Sequence, residues 1–229
     1  MKLTVYLFFL IGVLEIYAES SGSGTLKYIT KPLLMPALIL FYLSGVARPV
    51  SVRDRLMVAA FAFSWMGDIA LMFAGGREQF FLLGLIGFLI THVIYIVSFT
   101  MVADRSVSPL LKHKIWVAIP LAAYLAALLA VVFPAVDPPM KVPVAVYSAV
   151  IATMAVFALN RYKRVNDSSG ALVLGGALLF MFSDSLIAIN KFLCHGTLFM
   201  GGMLIMALYI AGQYLIARGM MRNDNVSLT

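Results

Sequence analysis

Eight apolar blocks, at about residues 3–18, 31–44, 55–73, 79–102, 115–133, 142–159, 170–189 and 196–217, alternate with short polar breaks along the chain. The breaks carry turn chemistry: Glu19-Ser-Ser-Gly-Ser-Gly, Ala74-Gly-Gly-Arg, Phe133-Pro-Ala-Val-Asp-Pro-Pro, and the polar run from Asn160 to Ser169. At about 20 apolar residues per crossing, 229 residues allow about eight crossings and leave no room for a separate soluble domain. The pattern therefore predicts an all-α polytopic membrane protein, with eight transmembrane helices in a single domain over residues 1–229.

Composition agrees: 62% of the residues are hydrophobic and only 12% charged, against roughly 45–50% apolar in a soluble domain. Met1-Lys2, an apolar run and Ile16-Tyr17-Ala18 before Glu19 resemble a secretory signal peptide. Glu15 inside that run argues instead for a retained first helix. The net charge of +7 would suit nucleic acid on a soluble protein, but here the basic residues sit between apolar blocks and orient the chain, so no nucleic-acid partner is expected. Lys2, Arg48, Arg53, Arg55, Arg105, Lys112, Lys114, Arg161, Lys163, Arg164, Arg218 and Arg222 fall on one side, and Lys27, Lys31, Arg77, Lys141 and Lys191 on the other. The positive-inside bias predicts cytoplasmic termini, with a bacterial inner membrane as the expected location. Cys194 is the sole cysteine, so neither an internal disulfide nor a cysteine-based metal cluster can form.

Ionisable groups in hydrocarbon cost about 2.5–3.5 kcal/mol each on insertion scales, so each calls for a partner, a cavity or a function. Asp68 lies about 13 residues into the third span and Asp184 about 14 into the seventh, both roughly 20 Å from the cytoplasmic end at 1.5 Å per residue. Phe63-Ser-Trp-Met-Gly-Asp68 is similar to Leu179-Phe-Met-Phe-Ser-Asp184, and Lys31-Pro32 is expected to open the second span as Lys141-Val-Pro143 opens the sixth. Together these suggest a parallel 4+4 internal repeat. Two carboxyls at one depth in a low dielectric favour one protonated acid beside one ionised base, although each could instead be a hydrogen bond tying helices together.

His92 and Tyr95 share a face of the fourth span, as Tyr209 and Gln213 do of the eighth, where they could line a cavity or bridge helices. Ser64, Ser183 and Tyr147 have weaker claims. Lys31 is expected at the outer mouth of a cavity, pairing with an aspartate or a lipid phosphate. His113 and His195 have no ligand-like spacing, so no metal site and no cofactor are expected. Leu83-Gly-Leu-Ile-Gly87 and Gly201-Gly202 read as helix-packing surfaces rather than phosphate loops.

Taken in order, Thr30-Lys-Pro-Leu33, Phe63-Ser-x-x-Gly-Asp68, Phe88-x-x-x-His92-x-x-Tyr95, Phe182-Ser-Asp184 and Tyr209-x-x-x-Gln213 resemble the YhhN-like lysoplasmalogenase family over residues 30 to 216. Gly212 stands where alanine is expected before the glutamine. The resemblance implies an eight-helix hydrolase that cleaves the vinyl-ether bond of a lysophospholipid, releasing a fatty aldehyde and glycerophosphoethanolamine or glycerophosphocholine. It implies Asp68 and Asp184 as catalytic residues and Lys31, His92, Tyr95, Tyr209 and Gln213 as pocket residues. Vinyl-ether hydrolysis needs an acid and then a base, which two carboxyls supply as they do in glycosidases. All these groups are expected on one closed, amphiphile-shaped cavity among membrane lipids. A proton- or cation-coupled transporter or lipid flippase is the alternative, followed by an intramembrane aspartyl protease, because Met66-Gly67-Asp68 is similar to that family's Gly-Asp motif.

Overall fold

A computed structural model describes residues 2–101, 108–161 and 163–222, without the side chain of Arg222. Arg105 and the Arg222 side chain, both used in the orientation argument, lie outside the described residues. Among those described, secondary structure is helical throughout: α1 (Lys2–Ser21), α2 (Gly24–Gly45), α3 (Val52–Met72), α4 (Glu78–Met101), a short α5 (Leu110–His113), α6 (Ile119–Val132), α7 (Pro138–Asn160), α8 (Asp167–Ala188) and α9 (Gly201–Arg222). Turns of 3-10 helix, Ile115–Ala118 and Phe133–Ala135, extend α6 at both ends, and a π turn, Ile189–Leu193, extends α8. Eight of these helical stretches are long and apolar enough to cross a membrane. The chain is an integral, multi-pass membrane protein.

The fold is most compact in two units that divide within α4, after Ser98. In the first, α1 packs on α2 and α2 on α3. The turn between α1 and α2 is tighter than the sequence suggests. Gly22 takes a positive φ of 68°, and Ser23 caps α2 by accepting a hydrogen bond from the Leu26 amide. Two expectations therefore change. Lys31-Pro32 does not open its helix but lies two turns inside α2, and Lys141-Val-Pro143 lies inside α7, which Pro138 and Pro139 open without needing their absent N–H groups. Lys31 is consequently not a residue of the helix start; at 1.5 Å per residue it sits about 10 Å along α2.

Pro36 removes the amide that would bond the Pro32 carbonyl, and the Trp65 indole of α3 donates to that carbonyl instead, at 2.8 Å. At its other end α3 starts with a capping box between Ser51 and Asp54, and Asp54 also accepts from the Tyr42 hydroxyl of α2 at 2.7 Å. Between α3 and α4 the backbones nearly touch. A Cβ on Gly87 would stand 3.0 Å from the Gly67 Cα, and one on Gly67 would stand 2.9 Å from the Phe88 ring.

In the second unit, α8 and α9 cross in the same manner. A Cβ on Gly176 would lie 2.6 Å from the Gly212 carbonyl oxygen, and one on Gly219 would lie 3.0 Å from that of Ser169. Arg161, expected in a loop, is buried: its guanidinium donates to Ser169 at 3.2 Å and lies over the Phe99 ring. The last span begins at Gly201 rather than near residue 196, because His195, Gly196 and Met200 take positive φ values of 48°, 86° and 52°, which no helix accommodates.

Candidate functional site

The glycine contact between α3 and α4 fixes which residues of the first unit lie side by side. One turn from Gly67, Ser64 donates to the Thr91 hydroxyl at 3.1 Å, and Thr91 reaches the Ala60 carbonyl at 3.0 Å. In this antiparallel register His92 sits about six residues, or roughly 9 Å, from the level of Asp68. Side chains lean toward the N-terminus of their own helix, so these two lean toward each other along the axis. Both are buried: Asp68 is 3% exposed and His92 fully covered. Tyr95 is displaced further, its ring edge-on to Phe61 at 6.3 Å, two turns from Asp68 along α3.

Lys31 does not reach a lipid surface alone. Its ammonium lies 3.4 Å from Glu19 Oε1 and 3.8 Å from Glu15 Oε1, both on α1. Glu15 is fully covered and accepts a 2.5 Å hydrogen bond from Thr30 through its other oxygen.

In the second unit Asp184 holds the clearest geometry. Tyr147 of α7 donates its hydroxyl hydrogen bond to Asp184 Oδ2, with both side chains buried. The neighbouring serines are engaged with backbone. Ser183 donates to the Ile205 carbonyl of α9 at 3.0 Å, and Ser185 donates to Met181 at 2.8 Å. Tyr124 of α6 in turn lies 2.8 Å from the Ser185 hydroxyl and edge-on to Phe182. Neither Tyr124 nor Ser185 carries a signal in the sequence that would single it out. Tyr209 packs edge-on against Phe180 at 5.3 Å, one turn from Asp184. Gln213 is fully covered but sits level with Gly175, about 13 Å along the α8–α9 register from Asp184. Gly212, where alanine was expected, is required by the close crossing: a Cβ there would stand 2.9 Å from the Gly176 carbonyl.

The eight membrane-length helices and the buried carboxyls within them define a class. It is a multi-pass helical membrane protein whose polar chemistry lies inside the spans. A model of the YhhN family matches residues 26–220, and the chain belongs to that family. No curated protein and no solved structure matches it.

Proposed function

We propose that this protein is a membrane-embedded lysoplasmalogenase: it hydrolyses the vinyl ether of a lysophospholipid to a fatty aldehyde and a glycerophospho-alcohol. Membership of the YhhN family supports the substrate class. The observation that carries the chemistry is the Tyr147 hydroxyl donating to Asp184. We assign the role of base to Asp184, whose carboxyl the Tyr147 hydroxyl holds in place, and the role of acid to Asp68. Asp68 protonates the β-carbon of the vinyl ether, and the double-bond electrons leave an oxocarbenium ion at the α-carbon. Asp184 takes a proton from the water that adds there. The hemiacetal then collapses: its hydroxyl proton returns to Asp68 as the carbonyl forms, the bond from the α-carbon to the glycerol oxygen breaks, that oxygen takes the proton held by Asp184, and the aldehyde departs. Lys31, His92, Tyr95, Tyr209, Gln213 and, more weakly, Ser183 hold the substrate, whereas Tyr147 acts through Asp184.

The test is mass spectrometry of purified protein incubated in parallel with a lysoplasmalogen and its saturated 1-acyl counterpart. Aldehyde from the first alone supports the reading. No aldehyde, with proton-coupled lipid movement in vesicles, replaces it with the transporter.

A further inference from the structure

Five polar side chains meet between α1 and α2, and three of them precede or fall outside the motifs assigned to the site. Lys27 pairs with Glu19 at 2.7 Å, Lys31 stands 3.4 Å from Glu19 and 3.8 Å from Glu15, and Thr30 donates to Glu15 at 2.5 Å. Charges alternate inward from the turn. Exposure falls along the same path, from 33% for the Lys27 side chain through 10% for Glu19 and 11% for Lys31 to none for Glu15. The pairing is uneven. The outer Lys27–Glu19 pair is a tight contact, while the inner Lys31 hangs between two carboxylates beyond ordinary charge-assisted hydrogen-bond length. Glu15 Oε1 is buried and receives no hydrogen bond, although a buried carboxylate oxygen left so costs free energy that a bound donor would recover.

The cluster sits level with Asp68. Trp65 donates to the Pro32 carbonyl and so fixes α2 against α3. In these antiparallel helices Lys31 lies one residue from that contact toward the α1–α2 turn, and Asp68 lies three residues from it in the same direction, about 1.5 and 4.5 Å along the axis.

We propose that Glu15, Glu19, Lys27 and Lys31 form a headgroup site for a zwitterionic phosphoalcohol amine, with Lys31 taking the phosphate and the Glu15 carboxylate taking the ammonium. The proposal rests on the lysophospholipid reading above. Two cations and two carboxylates make the empty cluster neutral, so a headgroup carrying one charge of each sign enters without leaving a net charge in hydrocarbon, whereas an anionic headgroup does not. Specificity of this kind arises from the unpaired charge the wrong ligand creates. Glu15 lies outside residues 26–220, the part that matches the family model, so headgroup choice belongs to this chain's first helix rather than to the family pattern.

The test uses lipids with no vinyl ether, so hydrolysis does not enter it. Binding of saturated lysophosphatidylethanolamine and of lysophosphatidylglycerol to the purified full chain is measured by Trp fluorescence or native mass spectrometry, for wild type and Glu15→Gln. The expected result is a preference for the zwitterion in wild type that shifts toward the anion by roughly tenfold or more in the variant, the worth of one charged hydrogen bond. An unchanged ratio in a folded variant overturns the proposal. Should Glu15→Gln not fold, the neutral double variant Glu15→Gln/Lys31→Gln decides: weak binding of both lipids supports the site, and a wild-type ratio overturns it. Aldehyde release by the wild type reads the hydrolase assignment separately.

Discussion

Replacing Tyr147 by Phe removes one oxygen from the interior and leaves the ring in place. That oxygen is the donor to Asp184 Oδ2, and Tyr147 is 8% exposed, so water has little access to replace it. A hydrogen bond to a charged group is worth about 1.5–3 kcal/mol. At 1.36 kcal/mol per tenfold, its loss lowers kcat by about 10- to 150-fold if Asp184 must be ionised and aimed in the transition state. Because the hydroxyl is spent on the carboxylate, the KM for lysoplasmalogen should move less than about twofold. The assay is steady-state aldehyde release over a range of substrate concentrations in detergent micelles, with folding checked by thermal melting. A raised KM with unchanged kcat would refute the reasoning, because Tyr147 would then be binding substrate rather than serving Asp184.

The packing yields two further expectations. Gly176→Ala pushes a methyl to 2.6 Å from the Gly212 carbonyl, while Gly175→Ala meets only Leu215 at 3.8 Å; the first should lower the melting temperature by several degrees and the second leave it unchanged or slightly raised, since Ala exceeds Gly in helices by about 0.5–1 kcal/mol. Equal melting temperatures would show that the α8–α9 crossing is looser than described. Trp65→Phe leaves the Pro32 carbonyl without its donor and should cost about 1–3 kcal/mol, read as a lower denaturation midpoint; no change would mean that carbonyl finds another partner.

The spans were legible because hydrocarbon tolerates few charges, and each apolar block had to become a helix whose backbone bonds itself. The start of α2 was not. Lys27 lies in the polar break and Lys31 at the expected helix start in sequence, yet both pair with Glu19 of α1, and α2 runs back through them to Gly24. The same pairing explains why Glu15 bears in sequence only on whether the first helix is retained: its partners Thr30 and Lys31 lie 15 or more residues away on another helix. The four residues of α5 are too few to show a period, and the break before α9 announces itself only through Gly196. At the site, Asp68 and Asp184 stand out because a charge inside an apolar run is conspicuous. Tyr147 reads in sequence only as a weaker pocket candidate, because its bond to Asp184 spans 37 residues between α7 and α8.

The most direct measurement of the central claim is aldehyde release from lysoplasmalogen by wild type, Asp68→Asn and Asp184→Asn, purified side by side and shown by melting to be folded. Amide and carboxyl have nearly the same shape, but only the carboxyl transfers protons. The account predicts aldehyde from the wild type and none above background from either variant. Aldehyde from either variant at a wild-type rate contradicts it.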